Sequence, residues 1–234
     1  KVRQKALGKI ADAIEARAEE LAQLTAVDTG NAVRTQARPE VATLADMFRY
    51  FAGVAGEVKG VTLPAGDGQL QYSRREPLGV VGAILPWNSP LMIAAFKIPA
   101  ALAAGNTVVA KPSEVTPMTA ALLGELSGAI GLPPGVLNIV HGSGPDAGQA
   151  LVSHPQVKAV TFTGSTAVGR HIAGIAAPQL KKMSLELGGK NATLVFADSD
   201  WETHLDTLLR SAFQNSGQIC LCGPRILIER DIYP

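Results

Sequence analysis

The chain has 234 residues, 47% of them hydrophobic, with 21 basic and 20 acidic side chains and a formal net charge of +1. That length and composition supply a core for one large domain or two small ones, and a balanced charge without a basic run excludes the electrostatic footprint of a nucleic-acid or anionic-membrane binder. No apolar run reaches the roughly 18 residues of a membrane span, the amphipathic start is unlike a targeting peptide, and Cys220 and Cys222 stand too close together for a disulfide framework.

A protein of the reducing cytoplasm acting on a small molecule is therefore expected. In chain order, Val2, Leu7, Ile10, Ile14, Leu21 and Leu24 recur at helical steps among Lys, Glu and Arg. They predict one amphipathic helix over about the first 25 residues. A second helix is predicted from near Pro39, carrying Val41, Leu44, Phe48 and Phe51 toward a core. Between Gly60 and Pro77, the turn Gly66-Asp67-Gly68 separates two short apolar runs and predicts an extended, hairpin-like arm suited to packing or oligomerisation.

From Val80 onward, short apolar runs alternate with helical stretches. Strands are predicted at Val80–Leu85, Thr107–Ala110, Val136–Val140, Ala159–Phe162 and Met183–Leu187, with helices at about 90–104, 116–130, 145–153 and 166–176. The repeat of βαβ units predicts an α/β fold with a doubly wound parallel, Rossmann-like sheet and flanking helices. Ligands of such sheets sit beyond the carboxyl ends of the strands. Those ends carry Trp87-Asn88, Lys111-Pro112-Ser113-Glu114, His141-Gly142 and Thr163-Gly164-Ser165. A last strand is predicted at Arg225–Glu229. Lys1 falls inside a helical pattern and the sequence stops soon after that strand, so it reads as a piece of a longer protein.

Each motif has a functional and an ordinary reading. Gly142 to Gly148 follows a strand and precedes a helix, yet its spacing is one residue off a dinucleotide fingerprint, and a simple turn with Pro145 at a helix start explains it equally well. Phe162 to Gly169 is the better cofactor loop, with Gly164 admitting a close ligand and Ser165 at a helix start facing phosphate; a capped turn is the alternative. Glu114 can accept both hydroxyls of a ribose, whereas a lone Lys-Pro-Ser-Glu more often forms a solvated surface pair. Asn88 can donate to an oxyanion or simply cap a turn. Glu186 alternates with Leu185 and Leu187 at a strand end; near-buried, its raised pKa would make it a general base, and exposed it would be an ordinary surface carboxylate. Cys220 is a candidate nucleophile as thiolate, and Cys222 a buried structural cysteine. His141, His154, His171 and His204 show no metal-ligand spacing and are expected on loops and helix surfaces, so no metal is predicted.

Taken in order, Leu85-Pro86-Trp87-Asn88, Gly105-Asn106 through Lys111-Pro112-Ser113-Glu114, Gly131-Leu132-Pro133 through Gly135 and Asn138, Phe162 through Gly169, Leu185 through Lys190, and Gly217-Gln218-Ile219-Cys220 resemble the aldehyde dehydrogenase superfamily from Lys1 to about Ile228. The resemblance implies NAD-dependent oxidation of an aldehyde through a thiohemiacetal and a thioester on Cys220. Asn88 and the Cys220 N–H would hold the oxyanion, Glu186 would activate water, and Lys111 completes the implied catalytic set. The implied cofactor residues are Ile84, Leu85, Pro86, Trp87, Lys111, Ser113, Glu114, Gly144, Gly148, Phe162, Thr163, Gly164, Ser165, Val168, Leu187 and Gly188. Glu114 favours NAD over NADP. Residues 1–59 and 78–188 would form the NAD-binding domain, 60–77 an oligomerisation arm of a homodimer or homotetramer, and 189–234 the truncated beginning of a second α/β catalytic domain. The sequence has Asn191-Ala192 after Lys190, where many members carry a proline two places on. Cys220-Leu221-Cys222 resembles the nucleophile segment of some muconic-semialdehyde dehydrogenases, and Ile219 with Leu221 suggests an apolar pocket at the reacting carbon. Arg225 reads as structural. A dehydrogenase that passes its thioester to coenzyme A, disfavoured by Glu186, and a non-catalytic NAD-binding fragment stay open as alternatives.

Overall fold

The structure, a computed structural model, describes residues 1–233. The amino-terminal apolar periodicity does form helix, but in two pieces, α1 (Val2–Ala16) and α2 (Ala18–Thr29). The expected single helix breaks at Arg17, where φ is −120° and ψ 27°, and the guanidinium folds onto Glu20 through hydrogen bonds of 2.6 and 2.5 Å. The break lets α1 lay Leu7, Ile10 and Ile14 on one surface and α2 lay Leu21 and Thr25 on another. Pro39 sits in the first turn of α3 (Arg38–Val54), where its missing N–H costs nothing. The arm forms as expected: β1 (Thr62–Leu63) pairs antiparallel with β2 (Gln71–Tyr72), both exposed.

The remaining elements alternate: β3 (Val80–Ile84), α4 (Pro90–Ala103), β4 (Thr107–Lys111), α5 (Met118–Ala129), β5 (Leu137–Ile139), α6 (Gln149–Ser153), β6 (Val157–Gly164), α7 (Thr166–Ala176) and β7 (Lys182–Leu187). They build a five-stranded parallel sheet in the order β5-β4-β3-β6-β7. β6 runs two residues further at each end than the apolar run predicts, because Thr163 and Gly164 pair with Glu186 and Leu187 of β7. Beyond the sheet lie β8 (Ala192–Val195), α8 (Leu205–Phe213) and β9 (Arg225–Ile228), with β8 and β9 forming a separate parallel ladder. Arg225 is exposed on β9.

Two cores sandwich the sheet. Helices α1 to α5 pack one face around Ile10, Leu44, Phe48, Leu91, Ile98 and Leu123, while α6 and α7 bring Leu151, Val152 and Ile172 onto Val160 and Phe162. Two basic residues pin helix ends across these layers. Arg3 donates to the Ala103 carbonyl at the end of α4 at 2.8 Å, and the buried Lys181 amine donates to Val152 and His154 at 2.5 and 2.7 Å, closing the end of α6. Free carbonyls at a helix end need such partners. No helix among the described residues is long and apolar enough to cross a membrane. Phe48, fully buried on α3, is the largest side chain of the first core. Phe48→Ala should therefore lower unfolding free energy by roughly 3–5 kcal/mol, measured by urea denaturation.

Candidate functional site

A cleft of about 640 Å³ opens where the winding reverses, between the carboxyl ends of β3 and β6. Register brings its parts to one level: Ile84 lies opposite Lys111 on one side and Phe162 on the other. Ile84, Leu85, Pro86, Trp87, Lys111, Ser113, Glu114, Gly144, Gly148, Phe162, Thr163, Gly164, Ser165 and Val168, fourteen of the residues singled out above, all line it. Leu187 and Gly188 do not. Leu187 instead packs under α7, where a Cβ on Gly169 would lie 2.5 Å from Leu187 Cδ2. That close approach makes Leu187 a sheet-to-helix packing residue.

Polar groups ring the cleft. Lys111 is only 2% exposed, so the solvated surface pair is overturned: its stem packs along Gly148, and its amine donates to the Pro112 carbonyl at 2.7 Å and to Glu114 at 3.2 Å. Glu114 is exposed at the mouth. Its own backbone N–H holds its carboxyl below the usual carboxylate range, with help from Lys111 and from the Gly144 N–H. Ser165 caps α7 by accepting from the Val168 N–H, and Ser143 does the same for Asp146 in the Gly142–Gly148 turn. Both glycine-containing segments are therefore capped turns and cleft walls at once. The buried Thr163 hydroxyl has no hydrogen-bond partner among the described residues. It is a polar atom at the cleft that a ligand could satisfy.

The segment that carries Cys220 meets this rim through amides. Asn88, just past β3, donates from Nδ2 to the Gln218 carbonyl at 2.6 Å, while Asn215 Nδ2 donates to the Asn88 carbonyl at 3.2 Å. Asn191 Nδ2 donates to the Cys220 carbonyl at 3.2 Å. Asn191 thus has a contact of its own, in the segment where the sequence departs from the family pattern. Asn215, Ser216 and Gly217 all take positive φ, at 50°, 56° and 74°. Three successive left-handed residues turn the chain sharply before Cys220. Cys220 is half-buried and Cys222 buried, its thiol toward the Gln214 carbonyl at 3.7 Å. The Cys220 N–H makes no hydrogen bond among the described residues.

A family model described as the aldehyde dehydrogenase family matches residues 1–234. The chain belongs to that family. It is 49% identical over 233 residues to a 2-aminomuconic semialdehyde dehydrogenase of Danio rerio, covering 99% of this chain and 48% of that protein. It is 45% identical over 236 residues to a 2-hydroxymuconic semialdehyde dehydrogenase of Pseudomonas sp. (strain CF600), covering 99% and 49%. A Bacillus cereus aldehyde dehydrogenase solved with NAD+ superposes with a TM-score of 0.95 at 40% identity, covering 99% of this chain and 47% of that one. The chain spans about half the length of the relatives it matches.

Two expectations need correction. Glu186 is exposed, not near-buried. β7 is an edge strand, and Glu186 lies on the face opposite Leu185 and Leu187, which pack on the α6–α7 core. Leu221 is 80% exposed, so among the described residues it walls no pocket with Ile219. His171, expected on a helix surface, lines the cleft with its ring bonded to Gln149 at 2.7 Å. Helical steps within α7 place it on the ligand-facing side, but its partner 22 residues earlier leaves no local signal. Among the described residues no cluster of three or more His, Cys, Asp or Glu could hold a metal.

Sequence reasoning also missed Lys97. It is buried on α4, its amine donates to Thr161 Oγ1 at 2.6 Å, and burial pulls its pKa down to about 8 against the supporting charge of Glu186. Below about 8 the folded and unfolded chains both hold this proton, and the folded state carries the full desolvation cost. Between about 8 and the ordinary 10.5 only the unfolded chain binds it, so stability rises with pH. The urea midpoint of the wild type should therefore gain on that of Lys97→Met from pH 8 to 10; a constant difference would show an unperturbed lysine.

Proposed function

We propose that the enzyme containing this chain oxidises an aldehyde to its carboxylic acid with NAD, through a covalent intermediate on Cys220. The observation that carries the reading is the junction of Asn88 with the Gln218 carbonyl, which sets an amide beside the nucleophile segment at the rim of the cleft. Asn88 Nδ2 has two hydrogens. One is engaged by Gln218, leaving the other, with the free Cys220 N–H, to receive an oxyanion.

The cleft suits NAD: the switch-point location, the unpaired Thr163 hydroxyl, the apolar wall of Val152, Ile172 and Ile175, and the ionised Glu114 each fit part of a dinucleotide. When bound, NAD supplies the hydride acceptor. Cys220 Sγ attacks the aldehyde carbon as thiolate, and the carbonyl oxygen takes the negative charge toward Asn88. After loss of hydride the acyl group stays on sulfur as a thioester. Glu186 is exposed in this chain, so its role as base rests on the family resemblance: it takes a proton from water, hydroxide attacks the thioester carbon, and the thiolate leaves. The sum is aldehyde, NAD+ and water giving acid, NADH and two protons, one of them lost from the acid. Glu114 accepts the ribose hydroxyls and repels a 2′-phosphate, favouring NAD over NADP.

The muconic semialdehyde dehydrogenases among the relatives support an unsaturated semialdehyde such as 2-hydroxymuconic semialdehyde as substrate. The exposed arm of residues 60–77, with Val61, Leu63, Leu70 and Tyr72 in water, is the surface through which protomers would pair as a dimer or tetramer. Residues 189–234 would open the catalytic domain.

In the full-length enzyme, Cys220→Ala should abolish NADH formation from 2-hydroxymuconic semialdehyde, and retained turnover would end the proposal. Glu186→Gln should give a burst of one NADH per site and then stall at the thioester, seen as a stable acyl adduct by intact mass. Acid release at the wild-type rate would exclude Glu186 as the base. Glu114→Gln should narrow the NAD to NADP preference by about tenfold in kcat/KM, since about 1.4 kcal/mol is tenfold.

A further inference from the structure

Glu40 is fully buried on α3, yet among the described residues no cation pairs with it. Three neutral donors hold it instead. Gln36 Nε2 reaches Oε1 at 2.9 Å, Asn31 Nδ2 the same oxygen at 3.3 Å, and the Met92 N–H reaches Oε2 at 3.3 Å, while Gln36 Nε2 also donates to the Ser89 hydroxyl at 3.2 Å. Leu91 and Met92 lie in the first turn of α4, whose free N–H groups need acceptors. Ser89 holds the N-cap position but makes no side-chain capping bond. A serine there ordinarily closes its own helix at little cost. Here a carboxylate from another helix closes it, and burial works against that carboxylate.

What the remote cap adds is direction. Asn31 Nδ2 bridges Glu40 Oε1 and the Asn88 carbonyl, at 3.3 and 2.9 Å. The same Asn88 carbonyl accepts from Asn215 in the nucleophile segment. A continuous set of hydrogen bonds therefore runs from α3 through Asn31 to the backbone of Asn88, whose side chain meets Gln218. Helix α4 starts two residues after Asn88, so fixing its first turn and the Asn88 carbonyl together fixes where the amide points.

We propose that Glu40, acting through Asn31 and the first turn of α4, is a positioning residue for the Asn88 amide. The inference rests on the reading of Asn88 as the oxyanion donor. A misplacement of an oxyanion donor by about an ångström costs on the order of a hundredfold, and a partial one less. In the full-length enzyme with NAD and 2-hydroxymuconic semialdehyde, Glu40→Gln and Asn31→Leu should each slow the pre-steady-state NADH burst by about tenfold or more. The Kd for NAD should stay within about twofold, because neither residue lines the cleft. The deciding arm repeats both changes in an Asn88→Ala background, where each should slow the remaining burst by less than about twofold. If Glu40→Gln does not fold, Asn31→Leu alone decides. Full, additive losses in the Asn88→Ala background, or a wild-type burst in Asn31→Leu, would overturn the proposal. If Asn88→Ala itself leaves the burst unchanged, the oxyanion reading fails, a result separable from the others.

Discussion

The reversal of winding at β3 is the constraint on which the site depends. The chain leaves β3 for β4 and β5 on one side, then crosses back to place β6 on the other. Right-handed crossovers then put α4 and α5 on one face and α6 and α7 on the opposite one, so no connection covers the carboxyl ends of β3 and β6. Parallel register does the rest. With Ile84 level with both Lys111 and Phe162, residues far apart in sequence become walls of one cleft without any loop having to find its place independently.

Desolvated amines support that cleft, one of them, Lys111, in its wall and two outside its lining. Lys111, Lys97 and Lys181 are each at most 8% exposed. Each meets oxygen: Pro112 and Glu114, Thr161, and the last carbonyls of α6. Apolar residues of similar volume would serve stability as well or better, because burying an ammonium costs several kcal/mol before its partners offset it. The amines add orientation. Lys181 fixes the end of the helix that brings Gln149 and Val152 to the cleft, Lys111 sets the Glu114 carboxylate at its mouth, and Lys97 ties α4 to β6 beneath it.

Periodicity carried the layered fold because its signal is local: short apolar runs bounded by turns and alternating with helical stretches read as the strands of a parallel sheet, and their ends name most of the cleft residues in advance. The misses share one cause, dependence on partners distant in sequence. Arg17 breaks a helix with neither Gly nor Pro, through an ion pair and the diverging surfaces that α1 and α2 must cover. Glu40 follows Pro39 in a helix start where an acidic residue looks like a solvated dipole partner, and only the approach of α4 buries it. Glu186 was placed correctly by strand alternation, but its exposure depends on what covers the edge of the sheet. Alternation reports the face, and says nothing of the cover.

Around Cys220 the recurrent donor is a neutral amide. Asn88, Asn191 and Asn215 hold the carbonyls of Gln218, Cys220 and Asn88. Lysine or arginine would hold the same carbonyls more strongly, but each would set a full charge beside the thiol and require a counter-ion in a partly desolvated place. Amides fix geometry without adding that field. The geometry needs fixing, since Asn215 and Ser216 sit in the left-handed region at a cost of order 1–3 kcal/mol each, and such conformations persist only where their surroundings over-determine them. Asparagine tolerates that region better than most residues, so Asn215 both relieves the strain and supplies a clasp. The path of the chain before Cys220 is thus set jointly by the segment itself, the rim of the sheet at Asn88, and the amino-terminal helices behind it.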